Sequence, residues 1–147
     1  MNNSFDKLEK LLTLLLKKNK TLYNAVIFDV DDTIVSTTNK PKIIKLSSKE
    51  IFIYPGIPQI VNLAKKANYL GYKVIILTAR PKESFLSTVF NLDLLKVKYD
   101  SIYMNTYNQP IEFKIKVREY LCNKYNILFT IGDQIGDVDG PNGLLGI

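Results

Sequence analysis

Short apolar runs alternate with helical periodicities from residue 25 onward. Residues 26–28, "KVIIL" at 73–77, "SIYM" at 101–104 and "ILFTI" at 127–131 are brief and almost uninterrupted in their apolarity. Runs of that length suit strands buried on both faces. Between them, Ile57, Ile60, Val61, Ala64 and Ala67 follow helical spacing over residues 56–70, and Gly71 stops the pattern. A second helix is expected over "ESFLSTVFNL". A third runs from Pro110 to about Lys124, with Ile111, Ile115, Cys122 and Tyr125 along one side and Asn126 suited to its end. Such alternation predicts an α/β fold, a parallel sheet with helices on both faces. Residues 34–54 interrupt it as an insertion carrying Lys40, Pro41, Lys42 and Lys45, in which a short hairpin fits. Repeats and low-complexity linkers are absent from the sequence.

Ahead of this core, Phe5, Leu8, Leu11, Leu12 and Leu15 recur at helical spacing, with Ser4 able to cap and Asp6 in the first turn. Residues 1–20 are therefore expected to form an amphipathic helix packed on a core of residues 21–147. Leu14 and Leu16 widen its apolar face, which also suits a membrane surface or a partner helix. Asp6 and Glu9 stand where a secretory signal would be positive, and no apolar stretch approaches a membrane span. With no signal and no disulfide pair, an intracellular location is expected.

Composition narrows the chemistry. The chain of 147 residues has no histidine, which excludes Ser-His-Asp and Cys-His catalysis and histidine-ligated zinc or haem. Its single cysteine, Cys122, forms no internal disulfide and no zinc cluster. The net charge of +6 favours anionic partners. Only Arg80 and Arg118 among the basic residues are arginine, however, so support for a nucleic-acid partner is weak.

The polar residues that end the strands carry the chemical signal. The first strand runs into Asp29, Asp31 and Asp32; the second into Thr78, Ala79 and Arg80; the fourth into Gly132, Asp133 and then Asp137. In parallel sheets, functional groups gather at the carboxyl ends of strands. Crowded carboxylates repel one another, and a hard cation such as Mg²⁺, which prefers oxygen ligands and keeps several waters, removes that repulsion. Lys114, at the start of a helix, would complete a site for an anion.

In this order, "VIFDVDDT", "VIILT", "EFKIKVR" and "GDQIGD" make the chain resemble the haloacid dehalogenase-like (HAD) hydrolase superfamily, in its phosphatase branch. "LTARP", "FKIKVR" and "IGDQIGD" are similar to the class B and plant-type acid phosphatases. The resemblance spans residues 25 to about 140. It implies a Rossmann-like three-layer sandwich with strand order 4-1-2-3, no large cap domain, and a fifth strand that is at most a stub after "GPNGLLGI". It implies Asp29 as nucleophile, forming an aspartyl-phosphate, and Asp31 as general acid and then base. Mg²⁺ would be held by Asp29, the backbone carbonyl of Asp31 and Asp133, with Asp137 supporting; Arg80 is a further supporting residue of the site. Thr78 and Lys114 would bind the phosphoryl oxygens, and Asp32 is assigned to structure. Lys114 is preferred to Lys116 because it matches the family motif; the two point about 200° apart, so only one can face the site.

Only a short insertion follows the first motif, so an open site is expected. That suits small phosphomonoesters or a phosphate on a macromolecule. A polynucleotide 3′-phosphatase and a phosphoprotein phosphatase are the enzymatic alternatives. A phospho-accepting signalling domain is the non-catalytic one, although there the acidic pair precedes the phosphorylated aspartate, the reverse of the order here.

Overall fold

The computed structural model describes residues 23–106 and 109–132, together with Lys7 and Lys10. The expectations for the N-terminal helix, for Asp133 and Asp137, and for a fifth strand lie outside the described residues.

Strand β1 (Asn24–Phe28) leads into the first acidic loop and then a hairpin, β2 (Lys42–Leu46) and β3 (Lys49–Ile53). Helix α1 (Pro58–Tyr69), strand β4 (Lys73–Pro81), helix α2 (Phe85–Leu94), strand β5 (Ser101–Asn105), helix α3 (Pro110–Lys124) and strand β6 (Asn126–Ile131) follow. The sheet order is β5-β4-β1-β6 and every neighbour is parallel, the 4-1-2-3 order expected. The insertion is a separate antiparallel hairpin joined through Ser47 and Ser48.

Alternation along β1 sorts the core into two layers. Val26 and Phe28 join Val74, Ile76, Phe129 and Ile131 beneath α1 and α2, with Ile60, Leu63, Ala64, Ala67 and Leu92. Ala25 and Ile27 join Ile75 and Leu77 beneath α3, with Phe113 and Leu121. The strands read as continuous apolar runs because both of their faces are covered. α1 begins at Pro58, whose missing N–H costs nothing in a first turn, and ends before Gly71 at φ +89°.

Three local expectations are corrected. The second strand does not end at Leu77: β4 continues to Pro81, and its ladder with β5 shifts between Thr78 and Pro81. Such a bulge re-aims side chains. Asn126 does not end α3 but opens β6, where its Nδ2 donates to Asn24 Oδ1 at 2.8 Å. The buried face of α3 is not the Ile111 side, since Ile111 is exposed; Phe113, Lys114, Arg118 and Leu121 are buried instead. Two cations on the inward face mean that this helix delivers charge to the sheet as well as packing against it.

Candidate active site

The loop after β1 is wound tightly. The backbone N–H groups of Thr33, Ile34 and Val35 converge on the carbonyl of Val30 at 3.2, 2.9 and 3.1 Å. Asp32 takes a left-handed conformation (φ 57°), which aspartate tolerates better than most residues. Its carboxylate accepts from the backbone N–H of Thr37 at 2.9 Å and from the Thr37 hydroxyl at 2.8 Å. Asp32 thus holds the loop, while Asp29 and Asp31 face other partners.

Asp29 emerges between β4 and β6. Its N–H donates to the Ile131 carbonyl at 2.9 Å, which ties the ends of β1 and β6 together. It shares the parity of Ala25 and Ile27, the layer beneath α3, and Lys114 approaches from that helix. Lys114 Nζ lies 3.0 Å from Asp29 Oδ1, with both side chains buried. Burial weakens the screening of this pair by solvent and salt. Lys116 is exposed and pairs with Glu112 at 3.2 Å on the helix surface.

Asp31 is more open, its side chain 41% exposed, and it meets Arg80. Arg80 Nε donates to both carboxylate oxygens at 3.1 Å and NH2 donates to Oδ1 at 2.6 Å. Arg80 is carried on the β4 bulge, where its backbone N–H donates to Thr78 Oγ1 at 3.1 Å. That contact uses a lone pair of the buried Thr78 hydroxyl and leaves its proton to donate elsewhere. The β1–β4 ladder pairs Phe28 with Ile76, so Asp29 and Thr78 stand one and two residues beyond that pair on neighbouring strands.

The structure therefore brings Asp29 to Lys114, Asp31 to Arg80, and Thr78 to the base of the same strand end. Among the described residues there is no group of three acidic, cysteine or histidine side chains that could hold a metal. The described oxygen donor at this strand end is the buried Asp29 carboxylate. An all-oxygen set with few protein ligands fits a hard cation that retains water.

Beside Asp31 lies a groove of about 360 Å³ lined by Asp31, Thr37, Phe52, Tyr54, Arg80 and Ser87, among others. The hairpin forms one wall of it. α2 fixes that wall. Asn91 brackets the Tyr54 backbone, Oδ1 accepting its N–H at 2.7 Å and Nδ2 donating to its carbonyl at 2.9 Å. Ser87 Oγ accepts from the Phe52 N–H at 3.1 Å. α2 buries Thr88 and Asn91 beside Leu92 while exposing Phe85, Leu86, Phe90 and Leu94, so its buried side is more polar than in an ordinary amphipathic helix. The polar stripe Ser84, Ser87, Thr88, Asn91, at helical spacing within "ESFLSTVFNL", was the available signal in the sequence.

Comparison with known proteins agrees with this fold. The class C acid phosphatase from Bacillus anthracis superposes with a TM-score of 0.68 at 16% identity, over 92% of this chain and 61% of that one. Its tungstate-bound form gives 0.69 at 17% identity, over 96% and 64%. A chain of the Pnkp1/Rnl/Hen1 RNA repair complex gives 0.61 at 24% identity, over 82% of this chain and 39% of that one. The present chain thus spans less than two thirds of each of these proteins, and at such identities the likeness is one of fold. No curated protein sequence matches. Among the described residues, no helix is long and apolar enough to cross a membrane. Residues 6–144 match the family described as HAD superfamily, subfamily IIIB (Acid phosphatase), and the chain belongs to that family.

Proposed function

We propose that the chain hydrolyses phosphomonoesters in two steps through a phosphorylated Asp29. The observation that carries this reading is the division of labour between the two carboxylates. Asp29 is buried against a lysine, and Asp31 is half-exposed at the mouth of a groove. A phosphoryl acceptor needs a cation beside the oxygens it receives, and a proton donor needs access to the departing group.

In the first step, an Asp29 oxygen attacks phosphorus and the ester P–O bond breaks. The departing oxygen takes a proton from Asp31. In the second, the Asp31 carboxylate removes a proton from water, which attacks phosphorus, and the bond to Asp29 breaks. Lys114 and Thr78 hold the non-bridging oxygens as charge spreads over them. Asp29, the Asp31 carbonyl and Asp133 would hold Mg²⁺, with Asp137 supporting; the ion supplies charge neutralisation at the phosphoryl group. The alcohol portion of the ester would occupy the groove, with Phe52 and Tyr54 offering apolar surface and Thr37 and Ser87 offering hydroxyls.

The test is release of phosphate from an aryl phosphate, nucleotides, a 3′-phosphorylated DNA strand and a phosphopeptide, each with and without Mg²⁺. Turnover that is lost with chelator and restored by Mg²⁺ is expected. The preferred substrate then separates small esters from a phosphate on a macromolecule. Turnover of none of the four would overturn the reading.

A further inference from the structure

We propose that Thr88 is a positioning residue for this reaction, acting through Arg80 on the Asp31 carboxylate. The proposal rests on the phosphatase reading above. The Arg80 side chain is only 9% exposed, so its N–H groups need protein partners in place of water. Nε and NH2 serve Asp31, and NH1 donates to Thr88 Oγ1 at 2.9 Å.

Thr88 is completely buried on α2, and its hydroxyl donates its single proton to the Ser84 carbonyl, one turn back, at 2.8 Å. A hydroxyl whose proton is committed in this way presents only lone pairs to Arg80. The β-branched side chain has few rotamers in a helix, so the acceptor is fixed in direction as well as in kind. Arginine is long and flexible, and a single anchor would leave the guanidinium free to pivot. The carboxylate fork on one side and the Thr88 oxygen on the other set its plane.

Asp31 gains most from this arrangement. It stands on a loop and is half in solvent, yet it must meet the departing oxygen within hydrogen-bond reach. The geometry runs from the Ser84 carbonyl through Thr88 and Arg80 to Asp31, linking a helix backbone to the proton donor. Valine at position 88 would satisfy the same packing and the same helix. What the hydroxyl adds is an acceptor for Arg80.

The test compares Thr88→Val, which keeps the shape and deletes the acceptor, with Thr88→Ser, which keeps the acceptor. Each is assayed on an aryl phosphate, whose departing group needs little protonation, and on an alkyl phosphate, which needs it fully. For Thr88→Val we expect KM within about twofold of wild type and kcat lower by roughly 10-fold on the aryl ester and more on the alkyl ester, a fraction of the ~10²–10⁴ that deleting a general acid costs. The rapid first release of aryl alcohol should survive, and Thr88→Ser should recover most of the rate. Thr88→Ala makes the same deletion with less volume and carries the test if the valine variant does not fold. Wild-type kcat in the hydroxyl-deleted variant overturns the assignment, as does an equal loss on both esters or an equal loss in Thr88→Ser. A wild-type chain with no turnover would instead overturn the phosphatase reading, and the assignment with it.

Discussion

The two carboxylates of the first loop are served from opposite faces of the sheet. Asp29 receives a lysine from α3, the helix that covers Ala25 and Ile27, and both members of that pair are buried. Asp31 receives an arginine from the β4 bulge, which is steadied by α2 on the other face, and it keeps 41% of its side chain in solvent. Two residues apart in sequence, they differ in depth, in partner and in supporting layer. A carboxylate that becomes covalently modified benefits from a rigid cationic pocket. One that exchanges protons with a departing group and then with water needs a route to solvent.

Asp31→Asn sharpens the contrast most strongly. It removes the proposed proton donor while Asp29 and Lys114 stay in place, and steady-state turnover should fall by about 10²–10⁴-fold. With an aryl phosphate, one rapid release of aryl alcohol should precede the slow phase, as stopped-flow absorbance would record. A uniform slowing with no burst would break the assignment of separate steps.

Lys114→Met comes next. Removing one cationic donor from a site of developing charge should lower kcat by about 10²–10³-fold. Because it leaves Asp29 buried without its cation, it should also destabilise the fold by about 3–5 kcal/mol, the usual cost of breaking a buried pair, measurable by urea denaturation. On the other side of the comparison, Phe52→Ala should change the groove and not the chemistry. KM for an aryl ester is expected to rise several-fold, about 1 kcal/mol of lost apolar contact, with kcat little changed. The smallest effect is predicted for Lys116→Ala. Its exposed pair with Glu112 is worth well under about 1 kcal/mol, and turnover should match wild type. If Lys116 rather than Lys114 were essential, the α3 side of the account would fail.

The Asp29 side was more legible in the sequence than the Asp31 side. Four apolar runs ending in polar groups gave the parallel sheet, because strands buried on both faces leave a plain hydrophobic signature. Lys114 could be chosen over Lys116 because it matches the family motif, while helical geometry lets only one of the two face the site. Lys114 and Arg118 share the inward face of α3 as expected, but the apolar side read through Ile111 does not lie there; Phe113 and Leu121 do. The support for Asp31 depends on a β4 bulge and on a helix that buries Thr88 and Asn91 while exposing Phe85 and Leu94. Bulges leave no mark in residue periodicity, and a polar stripe reads as solvent-facing until its partners are known. Tyr54 and Phe52 are held at the site by backbone bonds to Asn91 and Ser87, contacts 37 and 35 residues distant in sequence.

The central claim is that Asp29 carries the phosphoryl group and Asp31 moves protons. Intact-mass measurement after brief exposure of the Asp29→Asn and Asp31→Asn variants to an aryl phosphate and Mg²⁺ tests it most directly. The account predicts one added phosphoryl group on Asp31→Asn and none on Asp29→Asn. A phosphorylated Asp29→Asn variant, or one that turns over at the wild-type rate, would contradict it.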